Sequence, residues 1–266
     1  MSEAPYQFFD THVVRKERLT PSMIRVAFGG PEVARMASAG RDQRIKLFLP
    51  HPGQDAPVVP TEQGENWYNA WRELDPAVRG IMRTYTTRAL TPDELLVDFA
   101  LHGTEAPASR WAHHAAPGYR VSVLAPVDEE NGAYDFRPPE DSDWLLLTGD
   151  ESALPAIAGI LESLPAGLPV RVWLEVRDPA DRQELATAAD AKVEWVASGG
   201  TVDAVRATAL PEGTPYSWIA GESSTVRALR RHLVAERGFD RTRVKFSGYW
   251  RRGATEDDLM ASGEDA

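Results

Sequence analysis

The stretch Trp144-Leu145-Leu146-Leu147-Thr148-Gly149-Asp150-Glu151-Ser152 is where the residue pattern of this 266-residue chain changes. Its apolar residues follow one another without a polar interruption, which is typical of a parallel strand covered on both faces. A glycine, two acids and a serine come next, and the residues from 153 to 164 have helical character. The stretch therefore predicts a strand, a loop and a helix of a parallel α/β unit.

The same arrangement recurs further along the chain. Strand patterns cover residues 170–176, 192–196 and 216–220, and the last of these ends in Gly221-Glu222-Ser223-Ser224 before a helix predicted over 225–237. Strand, glycine, acid, serine and helix thus occur twice, and we expect a serine to cap each helix. Both helix starts would face the carboxyl edge of the sheet, where open α/β sheets bind ligands. A final strand is predicted over 244–249.

Upstream of Asp141 the strands alternate apolar and polar residues, as half-buried antiparallel strands do. In one of them Lys46 and Phe48 lie opposite the core-facing Ile45 and Leu47. Turn signals separate the strands, and an antiparallel barrel is the economical way to close such a set. The six predicted strands cover residues 12–19, 23–29, 44–49, 83–88, 94–103 and 120–124.

The predicted fold class is therefore β plus α/β. A six-stranded antiparallel barrel is assigned to residues 1–139, a parallel α/β domain to residues 140–253, and an acidic tail to residues 254–266. Within the first domain, residues 50–80 form a long polar connection with five prolines and with Trp67, Tyr68 and Trp71. Two interpretations of this connection remain open: its tryptophans pack back on the barrel, or it forms a lid over a ligand.

Composition excludes several classes of protein. The chain has no cysteine, so disulfides, thiolate zinc sites, iron–sulfur clusters and cysteine nucleophiles are ruled out, and its six histidines lack the spacing of metal ligands. The net charge is −11, of which the tail contributes −5, so we expect no binding to nucleic acid or to anionic membranes. No segment is typical of a signal peptide or a membrane span, and we expect a cytoplasmic protein without a bound metal.

The hexapeptide Arg83-Thr84-Tyr85-Thr86-Thr87-Arg88 is the first candidate for a binding site. In a strand, Arg83 and Tyr85 point to the same face. A guanidinium beside a phenol ring suits a ligand that has both a phosphate and a flat ring, such as a flavin nucleotide. On these residues alone, the alternative is an ordinary half-buried strand with a core tyrosine and solvated arginines.

Five motifs together resemble one family. The chain is similar to the siderophore-interacting proteins, which are FAD-dependent ferric-siderophore reductases with a ferredoxin-reductase-like fold, and the resemblance extends from Phe9 to Gly253. The motifs are Arg83-Thr84-Tyr85-Thr86, Asp98-Phe99-Ala100-Leu101-His102-Gly103, Pro107-Ala108-Ser109-Arg110-Trp111-Ala112, Gly149-Asp150-Glu151-Ser152-Ala153-Leu154-Pro155-Ala156 and Gly248-Tyr249-Trp250-Arg251.

The resemblance implies a set of site residues and no catalytic acid or base. An anionic ferric siderophore would meet Lys46 and Arg251. For Trp250, covering the flavin ring and packing between the domains are equally compatible with the sequence, and His102 can either contact the flavin or pack locally. The residues implied for FAD are Arg83, Tyr85, Thr86, Asp98, His102, Pro107, Ala108, Ser109, Trp111 and Trp250. Those implied for NAD(P)H are Gly149, Asp150, Ser152, Ala153, Leu154, Pro155, Gly221 and Glu222.

The function that the resemblance implies is transfer of electrons from NAD(P)H, or from a ferredoxin, through FAD to siderophore-bound Fe(III). Glu175 is placed to bind the ribose of NADH, and Arg177 to bind the 2′-phosphate of NADPH, so the choice of reductant stays open. Two alternatives also stay open. The chain can be a general flavin or oxygenase-partner reductase of the same fold, or a siderophore-binding protein without turnover.

Overall fold

The structure is a computed structural model that describes residues 5–101 and 106–254. The chain forms two compact units that meet in sequence between Tyr134 and Asp135. His102, predicted to contact the flavin, lies outside the described residues, and so does the tail beyond Ala254. Within the described ranges, no helix is both long enough and apolar enough to cross a bilayer.

The N-terminal unit is built on one antiparallel sheet. Its seven strands lie in the order β4-β3-β7-β1-β2-β6-β5. The elements in chain order are β1 (Tyr6–Thr20), β2 (Met23–Gly29), β3 (Arg44–Leu49), α1 (Trp67–Glu73), β4 (Ile81–Thr86), β5 (Ala89–Leu90), β6 (Leu95–Ala100), α2 (Pro107–His114) and β7 (Arg120–Pro126).

This sheet curls around an apolar core, which confirms the predicted β-rich first half. Tyr85 on β4 packs on Phe99 of β6 with 4.4 Å between ring centroids, although these two strands lie near opposite ends of the sheet order. The predicted number of six strands is wrong. The seventh strand, β5, has only two residues, and two residues are too few to show an alternating pattern.

The opposite face of the sheet is covered by α1, which the sequence pattern did not predict. Phe48 lies on that face as expected, yet it is fully buried. The ring centroids of Trp67 and Trp71 lie 5.8 and 6.4 Å from that of Phe48. The Trp71 indole also donates to the carbonyl oxygen of Gly80 at 3.0 Å. Of the two interpretations of residues 50–80, the structure supports packing of the tryptophans on the sheet.

The C-terminal unit is a parallel sheet with helices. Its five strands lie in the order β10-β9-β8-β11-β12, and α5 continues into a single π-helical turn at His232–Glu236. The elements in chain order are β8 (Trp144–Gly149), α3 (Leu154–Ser163), β9 (Pro169–Val176), β10 (Asp190–Ala197), α4 (Thr201–Ala207), β11 (Pro215–Glu222), α5 (Ser223–Arg231) and β12 (Val244–Trp250).

The strand order places β8 at the centre of this sheet, with β11 beside it. The apolar residues 144–147 of β8 are at most 2% exposed, as predicted for a strand covered on both faces. From β8 the chain first builds outward through β9 and β10, and then crosses to β11 and β12 on the other side. This reversal creates a crevice at the carboxyl ends of β8 and β11, which is where open α/β sheets bind ligands. Gly149 and Glu222 end those two strands.

Candidate functional site

Arg83 and Tyr85 both point to the inner face of the N-terminal unit. Arg83 pairs with Leu47 and Tyr85 with Ile45, and both of these partners belong to the apolar core. The Arg83 side chain donates from Nη1 to the carbonyl oxygen of Met82 at 2.7 Å, and the residue is only 8% exposed. Thr86 is also buried, at the end of β4. A cation is therefore held inside a largely apolar surface beside an aromatic ring.

Trp111 extends this arrangement into an aromatic cluster. Its ring stacks on Phe28 at 6.1 Å and lies 5.7 Å from Phe99, which in turn contacts Tyr85. The indole Nε1 of Trp111 is buried and has no hydrogen-bond partner among the described residues. A buried N–H donor without an acceptor is costly. The cluster thus holds a polar atom that an additional group can satisfy.

The start of α2 has the properties of an anion-binding helix terminus. Pro107 occupies its first turn, and no side chain of the described residues caps it at Ala106. The first turn of a helix presents backbone N–H groups that lack partners within the helix. Ser109 is buried, and its hydroxyl donates to the carbonyl oxygen of Ala100 at 3.4 Å, so α2 is anchored to β6.

Asp98 is engaged within the sheet. Its carboxylate accepts two hydrogen bonds from Arg25, at 2.7 and 2.8 Å, across the paired strands β2 and β6. The Nε of Arg88 lies 3.9 Å from the same carboxylate. This bidentate contact is a strong charge-assisted interaction, and it accounts for a buried acid at this position. The structure thus gives Asp98 a role in joining two strands.

Asp150 is the central polar residue of the crevice in the C-terminal unit. Its Oδ1 accepts from the backbone N–H of Ser152 at 2.9 Å and from the Ser152 hydroxyl. Its Oδ2 accepts from the Glu222 N–H at 2.9 Å and from the Trp250 indole at 2.8 Å. One carboxylate therefore connects the ends of β8, β11 and β12, and it fixes the orientation of Trp250.

Glu222 caps α5, and the predicted capping by serines is wrong. The Glu222 carboxylate accepts from the N–H groups of Ser224 and Thr225 at 2.8 and 3.1 Å, and from the Ser224 hydroxyl. Ser223 instead donates to the carbonyl oxygen of Trp250 at 2.9 Å. At α3 no side chain caps the helix, although the Leu154 N–H bonds the Asp150 carbonyl oxygen. Helix α3 begins at Leu154, well after Gly149, whereas α5 begins at Ser223, close to Gly221. The sequence pattern did not predict this difference.

The cap predicts a pH-dependent stability. Burial raises the pKa of Glu222, but hydrogen bonds from Ser224, Thr225 and Arg252 together lower it below its ordinary value of 4.5. Because the pKa of Glu222 is lower in the folded state, its ionised carboxylate stabilises the fold fully above pH 4.5. This stabilisation is lost as the pH falls through the pKa of the folded state. We expect Glu222→Gln to cost about 1 kcal/mol at pH 7, and less in acid. Urea unfolding at several pH values measures this.

The exposed acid Glu212 provides the matched control in the same unit. Glu212→Gln should leave the free energy of unfolding at pH 7 unchanged. A Glu222→Gln variant whose deficit stays constant down to pH 3 would contradict the assigned ionic cap.

The remaining NAD(P)H candidates lie at the start of α3. Gly149 has no room for a side chain, because an added Cβ would lie 2.6 Å from the Cβ of Ala153. Ala153, Leu154 and Pro155 are buried. Close packing of the helix on β8 requires these small and apolar residues, so they can meet a ligand chiefly through their backbone.

The two candidates for the substrate site belong to different units. Lys46 lies on the outer face of β3, paired with Thr84, and its Nζ donates to the Thr84 hydroxyl at 2.7 Å. Arg251 follows β12 directly and begins a turn that is closed by a hydrogen bond from the Ala254 N–H to the Arg251 carbonyl oxygen. Lys46 thus donates to a neutral hydroxyl of the neighbouring strand.

Two further residues make contacts near these loops: Glu151, which the sequence places in one of the five motifs, and Thr201, which the sequence did not single out. Glu151 is buried, and it accepts hydrogen bonds from the backbone N–H and the Nε of Arg177. Thr201 donates to Glu175 at the start of α4. Glu151 lies next to Asp150 in the loop after β8. The local sequence does not indicate that Asp150 contacts the ends of β11 and β12 while Glu151 contacts Arg177 after β9.

The fold defines a structural class. A curled antiparallel sheet followed by a parallel sheet with helices is the ferredoxin-reductase-like fold. The ferredoxin reductase of carbazole 1,9a-dioxygenase shares it, with a TM-score of 0.66 and 18% identity over 94% of this chain and 70% of that chain. At this identity the likeness concerns the fold alone.

The chain belongs to the siderophore-interacting protein family. Residues 12–130 match the family model described as the siderophore-interacting FAD-binding domain, and residues 142–253 match the model described as siderophore-interacting protein. The NADPH-dependent ferric-chelate reductase of Escherichia coli is 34% identical, over 92% of this chain and 93% of that protein. The ferric vibriobactin reductase of Vibrio cholerae is 28% identical, over 92% and 89%. The siderophore-interacting protein SipS of Aeromonas hydrophila superposes with a TM-score of 0.79, at 31% identity and 96% coverage of both chains.

Proposed function

We propose that this protein is a ferric-siderophore reductase that uses NAD(P)H and FAD to reduce siderophore-bound Fe(III), so that Fe(II) is released for iron assimilation. The observation that carries the proposal is the buried Arg83 beside Tyr85 on the inner face of a sheet that also carries the uncapped helix α2. The names of the Escherichia coli and Vibrio cholerae relatives support the same reaction. Fe(II) binds hard oxygen ligands less tightly than Fe(III), which is why reduction releases it.

The N-terminal unit has the chemistry that FAD requires. Arg83 supplies a cation for the pyrophosphate, and the start of α2 at Pro107 and Ala108 supplies backbone N–H groups. Tyr85 supplies a ring face, and the buried Trp111 Nε1 supplies a donor. When bound, a flavin accepts a hydride and passes on single electrons, which no side chain of this chain can do. We therefore assign the FAD domain to residues 1–139.

We assign NAD(P)H to the crevice of the C-terminal unit, within residues 140–253. There Asp150 and Glu222 hold the loops after β8 and β11 in fixed positions by hydrogen bonds within the protein. Gly149 and Gly221 add no side chain of their own at the strand ends. A nicotinamide group then meets loops that are already held in place before it binds, which limits the entropic cost of binding.

The substrate in this proposal is an anionic ferric chelate in the cytoplasm. Lys46 in the N-terminal unit and Arg251 in the C-terminal unit each supply a positive charge that attracts an anionic chelate to a protein whose net charge is −11. A ferredoxin as electron donor is an alternative to NAD(P)H, and the experiment below separates the two.

Anaerobic spectroscopy of the FAD-loaded protein tests the function. NADH or NADPH should bleach the flavin band, and a ferric siderophore should restore it while a colorimetric chelator traps Fe(II). If a reduced ferredoxin bleaches the flavin and neither nicotinamide does, the ferredoxin alternative holds. If the reduced protein is reoxidised by no hydroxamate or catecholate iron complex, the reductase proposal is overturned.

A pair of lysine variants identifies the substrate side. Lys46→Ala should raise the KM for an anionic ferric chelate several-fold with little change in kcat, because it removes a charge that attracts the substrate. Lys16→Ala serves as the control, since Lys16 is an exposed lysine of the same unit that also donates to an oxygen, the carbonyl of His113.

A further inference from the structure

Strand β10 is one of the two edge strands of the parallel sheet in the C-terminal unit. It stands first in the strand order β10-β9-β8-β11-β12, and it pairs with β9 in one continuous register over all its residues, Asp190–Ala197. The backbone N–H and C=O groups of an edge strand that point away from its neighbour form a row of donors and acceptors. Another strand can pair with such a row.

The two edges of this sheet are protected differently. At the far edge, the register between β12 and β11 shifts at Gly221 and Glu222, and the Arg230 guanidinium lies 4.3 Å from the centre of the Phe246 ring. Bulges, prolines and covering groups are the devices by which proteins prevent the pairing of edges. Strand β10 has no proline and no glycine, its register is regular, and every one of its side chains is half-buried or exposed. Its edge is therefore the one suited to a partner strand.

The side chains of β10 give its two faces different characters. Lys192 and Glu194 share one face, and Lys192 makes no hydrogen bond or ion pair with the described residues. The Oε2 of Glu194 accepts from the Trp173 indole at 3.0 Å, and its other oxygen is available to a further donor. The opposite face is apolar, because Val193 is 37% exposed there beside the half-buried Trp195.

Symmetry restricts how two copies of this edge can pair. Most homodimers have a two-fold axis, and an axis perpendicular to the sheet makes the paired strands antiparallel. Residues that face each other must lie on the same side of the sheet, so their numbers differ by an even number of positions. The two longest registers that meet this condition are centred on Val193 and on Glu194. Centring on Val193 places Lys192 opposite Glu194 twice, whereas centring on Glu194 places two carboxylates opposite each other.

We propose that two copies of this protein pair through β10 in an antiparallel register centred on Val193, which joins their two parallel sheets into one. Two symmetric ion pairs between Lys192 and Glu194 form on one face, and Val193 meets its counterpart on the other. Opposite charges directly across two strands stabilise their pairing and like charges destabilise it, so the charges select this register. A single pair of edge strands buries less than the roughly 1,600 Å² of a standard interface, so we expect a weak dimer with a micromolar dissociation constant.

Sedimentation velocity of the full-length protein tests the dimer. Between about 5 and 500 µM the sedimentation coefficient should rise from that of a monomer to that of a dimer. Lys192→Glu and Glu194→Lys each place like charges opposite each other at both positions, and each should raise the dissociation constant about 10-fold or more. An equal mixture of the two variants restores opposite charges at both positions and should associate as tightly as the unmodified protein. Lys16→Glu and Glu212→Lys make the same charge changes at exposed positions outside β10 and should change nothing.

Cross-linking tests the register, and it does not depend on the folding of Glu194→Lys, which also removes the contact with Trp173. The chain has no cysteine, so an introduced one can pair only with its counterpart in another copy. Val193→Cys should give a disulfide-linked dimer under mild oxidation, because residues directly opposite have Cβ atoms about 4.5–5.5 Å apart. Ala197→Cys is the control, since its two copies would lie about 27 Å apart along the paired strands.

Three results would overturn the proposal. The first is an unmodified protein that stays monomeric over the whole concentration range. The second is a Lys192→Glu variant that dimerises as tightly as the unmodified protein, which would place the contact on another surface. The third is equal cross-linking of Val193→Cys and Ala197→Cys, or a mixture of folded charge variants that associates no better than either variant alone.

Discussion

Replacing Arg83 by alanine is expected to release FAD from the protein. Arg83 is nearly buried on the inner face of β4, so a phosphate beside it would be poorly hydrated and would depend on the guanidinium for its hydrogen bonds. Removal of one member of a buried, hydrogen-bonded charge pair costs about 2–5 kcal/mol in binding. We therefore expect a purified variant with little bound flavin, and a dissociation constant for added FAD raised at least about 30-fold.

Two further variants separate binding from folding. Arg18→Ala removes an exposed arginine of β1 in the same unit and should leave flavin occupancy unchanged. Arg83→Lys keeps the charge but loses the bidentate geometry, and it should give intermediate affinity. Urea unfolding of the flavin-free proteins shows whether Arg83→Ala also weakens the fold. Unchanged flavin occupancy in Arg83→Ala would remove this residue from the site.

Replacing Gly221 by alanine is expected to disrupt the crevice of the C-terminal unit. Gly221 has a φ of +132°, and an added Cβ would lie 2.6 Å from the Oδ2 of Asp150. In the variant, the backbone at residue 221 is strained, and the new Cβ clashes with the Asp150 carboxylate, which already accepts four hydrogen bonds. Strain of this kind costs about 1–3 kcal/mol and each lost hydrogen bond about 0.5–1.5 kcal/mol, so we expect a loss of about 3 kcal/mol or more. Urea unfolding measures it.

Gly167→Ala provides the comparison. Gly167 also has a positive φ, +78°, but an added Cβ would meet nothing within 4 Å. We expect Gly167→Ala to lower the free energy of unfolding by about 1–2 kcal/mol, because only the left-handed backbone conformation is unfavourable for alanine. A Gly221→Ala variant that is no less stable than Gly167→Ala would show that the contact with Asp150 has no energetic weight.

Periodicity determined what the sequence could predict of the fold. The alternation in β2 and β3 and the unbroken apolar run in β8 reflect how many faces of each strand are covered, so the class of each sheet was predictable. The two-residue β5 and the helix α1 were not. Trp67 and Trp71 are placed by their contacts with Phe48, which lies in a different element, and no local pattern encodes that contact.

In the candidate sites, too, the sequence predicted local geometry but not contacts between distant residues. The positions of Arg83 and Tyr85 on one strand face followed from the two-residue period of a strand. The pairing of Asp98 with Arg25 depends on the register between β2 and β6, and the pairing of Glu151 with Arg177 depends on the neighbours of β8. Such contacts between distant residues decide which acids are available to a ligand, and they require a structure.

The four donors around Asp150 also make the crevice cooperative. Breaking any one of these contacts leaves a carboxylate oxygen that must find a new donor, so the loops after β8 and β11 and the indole of Trp250 are expected to lose their order together. A single side chain therefore joins three strand ends, and a substitution at any one of them is expected to disturb the other two.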